Sequence, residues 1–269
     1  MTETAYQNLA TPDSPLLHVR DASGVHTLTL NTPARFNVLG EAMLDALERA
    51  LEQVRADEQA RAVVLAASGK AFCAGHDLKE MRASPELTYY QQLFNRCSRF
   101  MLGLQKLPVP VIARVQGLAT AAGCQLVAQC DLAVAADTAQ FGVNGIDAGL
   151  FCATPSVPLV RNMAPKLAME MLVTGGFISA AEARARGLVN RVVADDALDA
   201  EVQMLVDAIL ARPREALQMG KQLFYSQREM GIEAAYQLAA QTMAVNMVHP
   251  VAQEGVLAFI EKRTPKWPA

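Results

Sequence analysis

Two short stretches combine small residues with a change of backbone direction in a way that frees N–H groups for an incoming oxygen. In SGKAFCAGHDLKEM (68–81) an apolar run ends in a small-residue turn just before the polar start of a helix. In QGLATAAGCQL (116–126), Gly117, Ala119, Ala121, Ala122 and Gly123 permit close backbone approach where another helix begins. N–H groups at such turns lack acceptors within the helix, and a helix N-terminus adds the positive end of its dipole. Small residues at strand-to-helix junctions also serve tight packing, so either turn alone could be a packing device.

The reactive side chains nearby are few. His76, in the first turn, could aim its imidazole at a pocket mouth as an acid–base group or a phosphate ligand, or could point to solvent. Cys152 would be a nucleophile only with a depressed pKa; otherwise it is a small buried apolar residue. Cys124 and Cys130 are six apart with no His or acidic ligand at metal spacing, so they read as packing residues and no metal site is expected. GLATAAG and VTGG contain glycines but form neither G-x-G-x-x-G nor a P-loop, which excludes a dinucleotide or ATP site of those kinds. His18, His26 and His249 are remote from both turns in sequence and receive no role.

The elements that must position these turns follow from periodicity. Segment 16–30 alternates apolar and polar residues around Ser23-Gly24, a hairpin signal. Residues 40–56 place Met43, Leu44, Leu47, Leu51 and Val54 on one helical face. The run 61–68 reads as a buried strand, 108–117 as another, 119–130 as a helix of small residues and 131–137 as a strand. Such alternation implies parallel strands with crossover helices. From residue 196 onward the pattern is helical, which divides the chain into an α/β core (1–195) and a C-terminal helical region (196–269) whose Met and Leu residues suggest a face for another subunit.

Composition bounds the rest. The 269 residues are 52% hydrophobic and 19% charged, enough for a large core. Lys plus Arg is 24 and Asp plus Glu 27, a net charge of −3 with no basic run, which disfavours nucleic acid and anionic membranes. No apolar stretch reaches membrane-spanning length, and MTETAYQNLATPDSP lacks the features of a signal or transit peptide. Five cysteines without C-x-x-C suggest a reducing, cytoplasmic location.

In this order the motifs resemble the enoyl-CoA hydratase/isomerase (crotonase) family over almost the whole chain. The matching pieces are NTPARFNVL (31–39), GKAFCAGHDLKEM (69–81), 108–142, MEMLVTGGFISAAEARARGLVNRVV (169–193) and QEGVLAFIEKRTPKW (253–267). Within the family, GHDLKE, AAGCQLVAQCD, GLFCATP and EGVLAFIEKRTPKW are most similar to an animal branch. The resemblance implies an α/β fold: a crotonase-like spiral of repeated β-β-α units with a C-terminal helical trimerisation region, assembled as a homotrimer or dimer of trimers. It implies an acyl-CoA thioester as partner, with coenzyme A as part of the substrate and no separate cofactor. The oxyanion hole for the thioester carbonyl falls on the backbone N–H groups of His76 and Ala122. Ala74, Gly75, Asp77 and Leu78 would lie around the adenine and pantetheine of CoA, Arg35 and Phe36 near its phosphates and ribose. Lys262 would reach a CoA in a neighbouring subunit. Asp131 corresponds to a structural hydrogen-bonding position.

Two departures bear on activity. Hydratases of the family carry two catalytic glutamates; Gln125 stands at the first position and Gly145 at the second. A glutamine amide can hold a water but cannot take up a proton at neutral pH, and glycine does neither. One positioned acid–base group contributes roughly 10²–10⁴-fold, so efficient hydration is not expected. Asp147 could bring a carboxylate into the same space, or could be an ordinary turn residue. A decarboxylase, a thioesterase or a non-catalytic acyl-CoA-binding protein are the alternatives.

Overall fold

The computed structural model describes residues 7–8 and 14–267. The reading of the first fifteen residues therefore falls largely outside the described residues. The chain opens with β1 (Gln7–Asn8), β2 (Leu16–Arg20) and β3 (Val25–Leu30), and α1 (Glu41–Ala56) then crosses to β4 (Ala62–Ala67). β5 (Ala71–Cys73), α2 (Leu78–Ala83) and α3 (Leu87–Gln105) lead to β6 (Val111–Val115). The unit repeats as β7 (Leu118–Thr120), α4 (Ala122–Gln129) and β8 (Leu132–Ala136), and again as β9 (Gln140–Gly142), α5 (Ala153–Asn162) and α6 (Pro165–Thr174). β10 (Ile178–Ser179), α7 (Ala180–Ala185) and β11 (Arg191–Val193) close the spiral, followed by α8 (Leu198–Leu210), α9 (Arg214–Gln227), α10 (Ile232–Val248) and α11 (Pro250–Ile260).

Each turn sends one strand to a large sheet and the next to a small one. The large sheet has the order β1-β2-β3-β4-β6-β8-β11 and the small one β10-β9-β7-β5. From β3 to β11 neighbours in the large sheet are parallel, as are β5, β7 and β9 in the small one. The β-β-α spiral implied by the motifs is the fold. One boundary shifts: Leu118–Thr120 belong to a strand and α4 begins only at Ala122. Runs of Ala, Thr and Gly carry no period that separates a short strand from the helix after it.

Alternation along the strands sets two cores. Val63 and Leu65 of β4 face the main core with α1, α3 and α4, whereas Ala62 and Val64 face α8. Leu198, Val202, Val206 and Ile209 of α8 are all buried there, each stabilising by roughly 1.5–3 kcal/mol. A second tie is polar. The Lys221 ammonium of α9 donates to Leu104 O and Val109 O (2.9 Å each) and to Asp131 Oδ2 (2.7 Å), while Tyr225 donates to Asp131 Oδ1 (2.7 Å). Asp131 also accepts from Val111 N at 2.6 Å. Burial pushes the Lys221 pKa down, and the Asp131 carboxylate opposes that shift. Beyond these ties the last helices are apolar outside: Ile232, Tyr236, Met243, Val248, Phe259 and Ile260 are exposed. Among the described residues, no helix is long and apolar enough to cross a membrane.

Candidate active site

The loop before α1 fixes the first turn. Asn37, fully buried at φ 54°, accepts from Thr32 N (2.9 Å) and donates to Ser68 O and Ala71 O (2.9 Å each). Asparagine tolerates this left-handed conformation better than most residues. Ala74 N donates to Phe36 O (3.0 Å) and Leu39 N to Gly75 O (2.8 Å), so the turn after β5 is clamped from one side. Asp77 then caps α2, its Oδ1 accepting from Lys79 N (2.9 Å) and Glu80 N (3.3 Å).

The second turn is pressed against the first. A Cβ on Gly75, whose φ is +91°, would lie 2.9 Å from Ala121 Cβ and 3.1 Å from Ala122 N. Only glycine allows this approach, and it brings His76 beside the N-terminus of α4. Ala121, at φ 50°, precedes that helix and donates its N–H to Gly142 O at 2.9 Å. The N–H groups of His76 and Ala122 have no acceptor among the described residues. The two turns singled out in the sequence therefore form one corner.

A cavity of about 450 Å³ opens on that corner. Met81, Phe94, Leu150, Phe151 and Pro155 give it an apolar wall. Among its polar lining residues, the Thr120 hydroxyl donates to Asn144 Oδ1 at 2.6 Å. Sequence reasoning missed this pair and Phe94, because they come from separate elements with no shared motif.

The expected replacements for the glutamates lie differently. Gly145 is in the wall, but a Cβ there would stand 2.5 Å from Leu150 O and 2.8 Å from Cys152 Sγ, because Leu150 N closes the turn onto Gly145 O (2.9 Å). A side chain at this position would require the 150–152 backbone to shift. Gln125 is buried in α4, does not line the cavity, and leaves Oε1 without a partner among the described residues. Asp147 lines the rim with its carboxylate against Gly175 and is exposed. Burial raises the Cys152 pKa, against a weaker opposing hydrogen bond from Gly145, which removes the depressed pKa a nucleophile needs.

His76 does not point to solvent. Its Nδ1 is 3.3 Å from Leu39 O, its ring packs edge-on against Phe94, and Nε2 is buried without a partner among the described residues. Burial lowers its pKa, so the imidazole is neutral near pH 7. Of the residues expected around CoA, Ala74 and Leu78 line the cavity. Arg35 is bonded to buried Asp77 and lies 3.7 Å from Glu80, with Phe36 exposed beside it. Lys262 follows α11 at φ 55° and does not line this cavity in the same chain.

A family model described as enoyl-CoA hydratase/isomerase matches residues 20–269. The chain belongs to the enoyl-CoA hydratase/isomerase family. Enoyl-CoA hydratase domain-containing protein 3, mitochondrial, of Mus musculus is 41% identical over 252 residues, covering 94% of this chain and 84% of the mouse protein. A crystal structure of enoyl-CoA hydratase from Mycobacterium smegmatis is 62% identical with a TM-score of 0.93, covering 94% of this chain and 98% of that one. A crystal structure of human enoyl-CoA hydratase domain-containing protein 3 is 40% identical with a TM-score of 0.91, covering 94% and 100%. The spiral is thus the crotonase fold, and the animal-branch resemblance holds. As a member of the enoyl-CoA hydratase/isomerase family, this chain carries its corner of unengaged N–H groups where β5 and α4 meet.

Proposed function

We propose that the protein binds an acyl-CoA thioester with the carbonyl oxygen between the N–H groups of His76 and Ala122 and the acyl chain in the apolar cavity. The supporting observation is the close approach of Gly75 to Ala122, next to two N–H groups with no acceptor among the described residues, at a cavity that His76 and Ala122 both line. Charge moving onto that oxygen, as an enolate or a tetrahedral oxyanion, is stabilised by donors that need no reorganisation. Ala74, Gly75, Asp77 and Leu78 serve the adenine and pantetheine of CoA, Arg35 and Phe36 its phosphates and ribose, and Lys262 acts on a CoA held by a neighbouring subunit. The exposed apolar face of α10 and α11 supports a homotrimer or a dimer of trimers.

Efficient hydration is not part of this reading. A side chain at Gly145 would meet Leu150 O and the Cys152 thiol unless that loop shifted, and Asp147 is at the exposed rim. The same observation favours a second reading, in which the protein either binds acyl-CoA without turnover or runs a decarboxylation or thioester cleavage. Decarboxylation generates the enolate without removing a C–H proton. We assign a cytoplasmic, reducing location on the five free, buried cysteines, while the animal relatives are named as mitochondrial.

The test is to follow enoyl absorbance with crotonyl-CoA and a longer trans-2-enoyl-CoA beside calorimetric binding of a saturated acyl-CoA. Micromolar binding without rapid hydration is expected. Rapid hydration would overturn the reading of Gly145 and Gln125, and absence of binding would overturn the site.

A further inference from the structure

We propose a second ligand site, for a small phosphate-bearing anion, in a cleft of about 340 Å³ lined by Arg20, Arg61, Arg212, Arg214, Glu215 and Trp267. None of these residues lines the cavity beside His76. The cleft is built where the turn between β2 and β3, the start of β4, the α8–α9 turn and the C-terminal segment meet.

Its charge is not neutralised from within. Arg20 is committed to Asp57 at 2.6 Å. Arg61 donates through Nη2 alone, to Leu210 O (3.0 Å) and Arg212 O (2.7 Å), and its Nε is buried without a partner among the described residues. Arg214 donates to Ala60 O (3.0 Å) and Gln218 Oε1 (3.4 Å). These acceptors are neutral, so neither guanidinium has a carboxylate at ion-pair distance among the described residues. The Arg212 side chain makes no hydrogen bond there. Against these three cations stands one carboxylate in the wall, Glu215.

Backbone adds to the field. α9 starts from Pro213, which offers no side-chain cap, and its N-terminal dipole end faces the cleft with Glu215 as the one acidic residue of its first turn. Guanidinium groups held by their own carbonyl bonds are pre-organised donors whose planar fork matches phosphate oxygens. The volume lies at the small end of ligand pockets, which suits a pyrophosphate or phosphomonoester group. Trp267, with its indole N–H on Ala211 O (3.2 Å), closes one side.

Trp267 is the single tryptophan of the chain, so its fluorescence reports on this cleft. Inorganic pyrophosphate titrated against a chloride control of matched ionic strength should give a saturable change that weakens with added salt. Arg212→Glu, at an exposed side chain with no partner among the described residues, should leave the melting temperature in place and weaken binding about tenfold or more. Arg214→Gln, read by calorimetry, should weaken it as well. A fluorescence change no larger than that of the chloride control, or a saturable change that neither variant alters, would overturn the proposal.

Discussion

The two ends of the cavity differ in how they are built. At the corner beside His76, Gly75, Ala121 and Ala122 press two backbone segments together next to two N–H groups with no acceptor among the described residues. At the opposite wall, where family hydratases carry a proton-transferring glutamate, the Leu150–Gly145 turn has closed over the space a side chain would need. On the proposed reading, the difference teaches that the oxygen-binding and proton-moving parts of such a site are separable. Backbone donors survive changes of side chain; a carboxylate does not survive loss of its Cβ.

The largest effect expected from this contrast is at Gly75. Gly75→Ala forces a Cβ onto Ala121 and Ala122 at a φ that L-residues avoid, separating the donors. Acyl-CoA affinity or kcat/KM should fall about 10²–10³-fold. A loss below threefold, with the fold intact by melting, would break the contrast at its stronger end.

Gly145→Glu tests the other wall. Restoring the family's residue should restore no hydration, because its Cβ meets Leu150 O and the Cys152 thiol. Overpacking of this kind costs about 1–3 kcal/mol, which calorimetry reads as roughly 2–4 °C in Tm per kcal/mol. A gain of enoyl-CoA hydration in this variant would show that the loop opens readily.

The smallest effects concern titration. His76→Ala keeps the backbone N–H and removes an edge-on contact worth about 0.5–1.5 kcal/mol, so binding should weaken by no more than about tenfold. Binding should also be level between about pH 6.5 and 8.5. Burial lowers His76, leaving it neutral through that range, and raises Cys152, leaving it a thiol. A bell-shaped profile would assign a proton-transfer role to a group in the site.

Much of the fold was legible because it is periodic. The α1 face of Met43, Leu44, Leu47, Leu51 and Val54 is wholly buried, and α9 and α10 span the segments read as helical. β7 was not legible, since its three residues have neither length nor β-branched character enough to stand apart from α4. At the site the two turns could be read, because small residues at a strand-to-helix junction have a local cause. The Thr120–Asn144 bond and the blocked Gly145 could not, because each depends on where a distant segment returns.

The Lys221–Asp131–Tyr225 tie bears on how the molecule comes apart. Pulling α9 away would leave the Asp131 carboxylate and the Leu104 and Val109 carbonyls without the Lys221 ammonium and the Tyr225 hydroxyl, while α8 would surrender its apolar face to water. The C-terminal helices and the spiral therefore melt as one cooperative unit. A chain cut after residue 195 would expose the Val64–Ile112 face of the sheet and aggregate rather than fold as a smaller globule.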